Sequence, residues 1–142
     1  MSHIRPFHGI RPPSQLAGKL IAPPYDVLSR AEATAIARDN PASFLRITRP
    51  DVDLPPESDI HGPEAYAMAR TNLEDFIARG LMVQDDEPCF YLYKQRWRGR
   101  TQEALLALCS CEEYDADLIK KHELTRPDKE LDRSEHIDIL DA

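Results

Sequence analysis

The stretch Cys89-Phe90-Tyr91-Leu92-Tyr93-Lys94-Gln95-Arg96-Trp97-Arg98-Gly99-Arg100-Thr101-Gln102-Glu103-Ala104-Leu105-Leu106-Ala107-Leu108-Cys109-Ser110 decides the fold class. Cys89 to Trp97 is rich in aromatic residues, which favour extended backbone. Arg98-Gly99-Arg100 can reverse the chain, because glycine enters the positive-φ region of a tight hairpin turn. Thr101 to Ser110 then supplies the partner strand of an antiparallel hairpin. Ala104 to Leu108 is nearly continuous in apolar residues, so this strand is expected to be central and covered on both faces.

Helical signals flank the hairpin on its N-terminal side. Ser29 is a good N-cap, and Glu32 three residues later completes a capping box. Ala31, Ala33, Ala35, Ile36 and Ala37 favour the helix, which Asn40-Pro41 ends. Pro63 suits a first helical turn, and Tyr66, Ala69, Leu73, Phe76 and Ile77 recur at helical spacing up to Gly80. A helix over 63–79 is therefore expected. Phe44 to Thr48 reads as a short strand, and 49–62 as an exposed, acidic loop or flap. Residues 1–28 are Pro-rich, with a short strand near Ile4–Phe7. Residues 85–88 and the acidic 112–118 read as turns, and Ser134 to Leu140 as helical. Strands mixed with helices define an α+β or mixed α/β class, a layered sheet with a central hairpin and flanking helices.

Composition bounds the function. The chain has 142 residues, 42% of them hydrophobic, which suits about one domain with a core. A net charge of −7 argues against general nucleic-acid binding, which needs a basic excess. No apolar run is long enough to span a bilayer, and Met1-Ser2-His3-Ile4-Arg5-Pro6 lacks the apolar core of a signal peptide. Cys89, Cys109 and Cys111 are odd in number and lack metal-ligand spacing. They read as reduced, partly buried thiols of a cytoplasmic protein.

The chemistry concentrates in Ile119-Lys120-Lys121-His122-Glu123-Leu124-Thr125-Arg126-Pro127-Asp128-Lys129-Glu130-Leu131-Asp132-Arg133. Both signs of charge interleave there. The plain reading is a solvated helix with ion pairs at three- and four-residue spacing. Pro127, however, denies the run one continuous helix. His122 titrates near neutrality and Glu123 beside it can act as a base, so both are catalytic candidates. Lys120, Lys121, Arg126, Lys129 and Arg133 are candidates for holding phosphate. Ala22-Pro23-Pro24-Tyr25-Asp26 reads either as a structural turn or as a rigid loop that presents Tyr25 to substrate and Asp26 to catalysis. Lys94, Arg96, Trp97, Arg98 and Arg100 mix cations with an aromatic ring and fit an exposed hairpin tip better than a nucleotide platform. His3, His8, His61 and His136 are scattered, none at metal-binding spacing from another acid or thiol. No metal site is expected. No Gly-rich P-loop or Rossmann motif occurs, and no G-x-S-x-G elbow.

The charged run resembles a signature of a widespread prokaryotic family, domain of unknown function 1015. Three further motifs agree in order: Ile4-Arg5-Pro6-Phe7 with Gly9 and Arg11-Pro12; Ala22-Pro23-Pro24-Tyr25-Asp26-Val27-Leu28; and Asn40-Pro41 with Ser43-Phe44-Leu45, Arg49-Pro50 and Asp53-Leu54-Pro55. Members of that family are typically far longer. The resemblance thus implies that 1–142 is the N-terminal portion of a single larger α/β domain, with an apolar face left open to self-association. Longer members also carry an Asp-Gly-His-His-Arg motif beyond this chain's last residue. It is similar to one in the ParB/sulfiredoxin-like fold, near bound nucleotide phosphates. Some enzymes of that fold phosphorylate free serine; others use nucleotides to control DNA binding. The expectation that follows is a nucleotide-dependent phosphotransferase, incomplete in this chain, using ATP or ADP with Mg on a small molecule. The alternative is a non-catalytic binding or regulatory protein that docks a partner through 119–133.

Overall fold

Two segments that read alike in the sequence, as apolar residues in short runs, fold into opposite environments. The structure is a computed structural model that describes residues 3–120 and 126–141. In chain order it contains β1 (Ile4–Arg5), β2 (Ile10–Arg11), α1 (Ala17–Leu20), α2 (Arg30–Asp39) and α3 (Leu45–Thr48). A single 3-10 turn (Pro50–Asp53), α4 (Pro63–Ala78), β3 (Val83–Gln84), β4 (Tyr91–Trp97) and β5 (Arg100–Leu106) follow. The last elements are β6 (Leu108–Cys109), α5 (Cys111–Asp115) and α6 (Pro127–Leu140). The class is α+β, with small antiparallel sheets of two strands each. The chain divides into two compact units, 1–10 with 84–124 and 11–83 with 125–142.

The helical unit, 11–83 with 125–142, holds every fully buried apolar side chain among the described residues. α4 packs against α3, the 3-10 turn and α6, and buries Ala65, Tyr66, Ala69, Leu73 and Phe76 along one stripe. Pro63 occupies the first turn of α4, and Gly80, at φ +67°, takes the left-handed position beyond its C-cap. α2 has the expected capping box: the Ser29 hydroxyl accepts from the Glu32 N–H, and the Glu32 carboxylate accepts from the Ser29 N–H. The Ser29 hydroxyl, donating to the Glu32 carboxylate at 2.6 Å, and then the Ser29 N–H hold that carboxyl below its ordinary range.

Phe44 to Thr48 is not a strand. It opens with a Ser43 hydroxyl accepting from the Leu45 N–H, and continues as the helical turn α3. Leu45 and Ile47 are both buried, in a turn packed against α4. Burial against a helix overrides the strand preference of Ile and Thr. In 49–62 the stretches 55–57 and 59–61 are exposed as expected, but the segment's start is not. Pro50 and Asp51 are buried, and two arginines tie the segment down. Arg30 donates to the carbonyls of Asp51, Leu54, Pro55 and Pro56. Arg49 clasps the Asp51 carboxylate through Nε and Nη2, at 2.8 and 2.9 Å, while its Nη1 donates to the carbonyls of Tyr25 and Leu28. Prolines and acids signal a solvated loop in a sequence; Arg30 from α2 and the segment's own Arg49 make it a fixed one.

The other unit is built on the hairpin. β4 and β5 pair antiparallel from Tyr91 opposite Leu106 to Trp97 opposite Arg100. The two-residue turn Arg98-Gly99 has positive φ at both positions, 48° and 78°, as a type I′ turn requires. β1 pairs with β6, and Phe7 bridges to Cys89. Tyr91 organises the base of the hairpin. Its hydroxyl accepts from the Gly9 N–H at 2.7 Å and donates to Asp85 at 2.7 Å, and its ring lies 4.9 Å from that of Phe7. A Cβ on Gly9 would come within 2.6 Å of that hydroxyl.

The expected covered strand is corrected here. β5 is exposed along its whole length, with Leu105 57% and Leu106 43% exposed. Among the described residues the hairpin has no third strand beside it, so an apolar run that reads as central lies open on both faces. For the same reason Cys89, Cys109 and Cys111 are exposed free thiols rather than partly buried ones. Residues 111–115 form the short helix α5, N-capped by Ser110, in place of a plain acidic turn. Among the described residues no helix is long and apolar enough to cross a membrane.

Candidate functional site

Pro127 denies the charged run one continuous helix, as expected, because it is where a helix starts. Its fixed φ suits the first helical position, and α6 runs from it to Leu140. Helical spacing then places Lys129, Asp132, Arg133 and His136 on one stripe, at intervals of three or four. Asp132 and His136 are 8% and 4% exposed, which is unusual for such groups. Three other segments of the helical unit meet the stripe. Tyr66 comes from α4, His61 from the turn before it, and Tyr25 from the loop before α2.

Asp132 is the hub. Its Oδ1 accepts from the Tyr66 hydroxyl at 2.7 Å and lies 2.6 Å from His61 Nδ1. Its Oδ2 accepts from Arg133 Nε and Nη2 at 2.9 and 2.6 Å. Burial pulls the Asp132 carboxyl upward. Hydrogen bonds from Tyr66, Arg133 and His61, together with the Arg133 charge, outweigh burial and hold it down at about 2. Burial, and then the bond to Asp132, push the Tyr66 hydroxyl up to about 12. The carboxylate is therefore ionised and the phenol neutral at physiological pH. An ionised carboxylate only accepts, so His61 Nδ1 carries the proton of their bond. Whenever the ring carries a single proton, Nε2 keeps the lone pair. The His61 side chain is 47% exposed, so the orienting acid is buried and the imidazole is reachable.

Two hollows adjoin this hub. A cleft of about 350 Å³ is bordered by His61, Tyr66, Lys129, Leu131, Asp132 and Glu135. A cavity of about 20 Å³ is lined by Tyr25, Arg49, His61, Tyr66, Arg133 and His136, among others. The Arg133 guanidinium stacks over the Tyr25 ring, 4.3 Å from its centroid. His136 lies 5.6 Å, ring to ring, from Tyr66. Burial, then the Arg133 charge, keep the His136 ring below its ordinary value and so neutral.

The sequence-derived candidates separate on this geometry. Tyr25 and Arg133 meet in the small cavity, and Lys129 borders the cleft. Arg126 is exposed at the N-cap of α6. Asp26 is exposed and lines neither hollow. Lys120 belongs to the hairpin unit and pairs with Asp117 at 3.2 Å. Lys121, His122 and Glu123 lie outside the described residues. His61, Tyr66, Asp132 and His136 are site residues that the sequence motifs do not single out. One signal was present: Asp132 and His136 stand four apart in a helix that begins at Pro127. Among the described residues no group of three or more His, Cys, Asp or Glu side chains could hold a metal ion.

The chain belongs to the family described as Protein of unknown function (DUF1015), whose model matches residues 4–142. No curated protein and no solved structure matches it.

Proposed function

We propose that this family member's helical unit carries the proton-transfer site of a nucleotide-dependent phosphotransferase acting on a small hydroxyl compound, as a serine-type kinase does. The observation that carries the reading is the 2.6 Å contact between His61 Nδ1 and the buried, ionised Asp132. Such a pair fixes the imidazole tautomer and stabilises the imidazolium formed when Nε2 takes a proton. The acceptor hydroxyl gives its proton to His61 Nε2 while its oxygen bonds to the γ-phosphorus. The bond from phosphorus to the bridging oxygen breaks, ADP leaves, and the imidazolium later returns its proton to solvent. Tyr66, neutral up to about pH 12, holds Asp132 in place rather than reacting.

The cleft of about 350 Å³ is within the range of small-ligand sites. Lys129 on its border supplies a point charge for phosphate. Asp132 is committed to three partners, so Glu135 is the cleft carboxylate suited to a Mg ion, which needs few protein ligands beside phosphate oxygens and would neutralise their charge. The activity class is also the one suggested, by fold-level analogy, by the likeness of longer family members to the ParB/sulfiredoxin-like fold, through a motif that residues 1–142 do not contain.

The test is ATP-dependent phosphorylation of serine and related hydroxyl compounds, followed by phosphorus NMR. His61→Asn should lower turnover by about 10²–10⁴-fold, with nucleotide affinity kept. A chain that neither binds MgATP nor phosphorylates any member of the panel would sink the reading. It would leave a non-catalytic binding protein, which the exposed Leu92, Trp97 and Leu105 of the hairpin favour.

A further inference from the structure

Basic residues crowd the tip of the hairpin in a chain whose net charge is −7. Residues 94–100 hold Lys94, Arg96, Arg98 and Arg100 and no acid. Lys94 pairs with Glu103 at 2.6 Å, whereas Arg96, Arg98 and Arg100 have no acidic partner among the described residues. The strand register sets aromatic rings beside that charge. Trp97 lies opposite Arg100, Gln95 opposite Gln102 and Tyr93 opposite Ala104. Residues directly opposed across the pair, or two apart along a strand, share a face. Tyr93, Gln95, Trp97, Arg100 and Gln102 therefore stand on one face, with both rings exposed. A hollow of about 490 Å³ lies against Gln95, Trp97, Arg100, Thr101 and Gln102. A second, of about 400 Å³, joins Arg96 to Trp97, Arg98 and Arg100 at the turn. The Arg98 guanidinium stacks on Trp97, 4.3 Å from the ring centroid.

We propose that the hairpin tip binds single-stranded nucleic acid, with bases stacked on Trp97 and Tyr93 and phosphates held by Arg96, Arg98 and Arg100. An exposed ring accepts the face of any base, and cations beside it neutralise the backbone. Gln95 and Gln102 each offer an amide donor and acceptor to base edges between the rings. A duplex fits less well: its bases are already stacked on one another, and its denser charge meets the acidic remainder of the chain. An anionic membrane suits the hairpin no better, because the tip is Arg98-Gly99 while Leu92 and Leu105 pair at the far end. Binding here needs the hairpin unit alone and is independent of the chemistry at His61.

Trp97 is the chain's one tryptophan, so its own fluorescence reports the stacking. Oligomers of about twelve nucleotides, one of deoxythymidine and one of uridine, are the probes for the full chain. Binding should quench Trp97, and three phosphate contacts should weaken it about twentyfold as salt rises fourfold from about 50 mM. Trp97→Ala should weaken binding about tenfold with the salt slope kept, and Trp97→Phe, which keeps a ring, should restore most of it. Arg96→Gln combined with Arg100→Gln should flatten the slope instead. A preference for one oligomer would assign the ligand to DNA or to RNA; equal binding would assign recognition to base and phosphate without the sugar. Three results would each overturn the proposal: neither oligomer quenches Trp97 at low salt, Trp97→Ala binds as tightly as the native chain, or inorganic polyphosphate competes as well as either oligomer. Capture by phosphatidylserine vesicles in place of the oligomers would overturn it too.

Discussion

The helical unit and the hairpin unit spend the same kind of residue in opposite ways. In the helical unit Phe76 is 1% and Leu45 0% exposed, against Leu92 72% and Trp97 63% in the hairpin unit. Among the described residues the hairpin unit holds no fully buried side chain at all. A two-stranded hairpin has regular hydrogen bonds but no second layer, and such a ribbon is marginal by itself. The helical unit closes a core because α4 has α3, α6 and the 3-10 turn to pack against. It also encloses charge: buried Asp51 is met by Arg49, and buried Asp132 by Arg133 together with Tyr66 and His61. Apolar content thus does not decide burial; a facing layer does.

The sharpest test of that contrast is Phe76→Ala. It should destabilise the helical unit by about 3–5 kcal/mol in urea titrations read by circular dichroism, because the surrounding stripe cannot refill the cavity. A loss under 1 kcal/mol would mean that the core is not closed there.

Next in size is the contribution of Asp132. Its carboxyl sits near 2 in the folded chain, below the ordinary 3.8, so the folded state binds that proton more weakly than the unfolded state. The stabilisation is complete above about pH 4 and is lost as pH falls towards 2, amounting to about 2 kcal/mol. Asp132→Asn should remove that acid-dependent share, which a set of denaturation curves between pH 2 and pH 6 would reveal. An unchanged pH profile in the variant would place the acid sensitivity elsewhere.

The smallest expected effect probes the other unit. Leu105→Ala should change stability by no more than about 0.5 kcal/mol, as for an exposed site with no special role. Were it to match Phe76→Ala, the hairpin would be covered in solution and the contrast between the units would collapse.

The sequence by itself determined what depends on neighbours in the chain. The Ser29–Glu32 capping box, the α4 stripe from Tyr66 to Phe76 ended by Gly80, and the Arg98-Gly99 turn with its flanking strands were all legible. Each rests on contacts three or four residues apart, on a cap, or on the φ freedom of glycine. Family membership was legible too, through four ordered motifs. Only the tertiary structure decided that Phe44 to Thr48 coils, that β5 is uncovered, and that arginines pin 49–62. It alone joined His61 and Tyr66 to Asp132, across 71 and 66 residues of chain. Local patterning places a side chain on a face of its own helix. Which distant face it meets, and so whether a carboxylate finds water, an arginine or an imidazole, is settled by packing, and the chemistry of the site follows from that meeting.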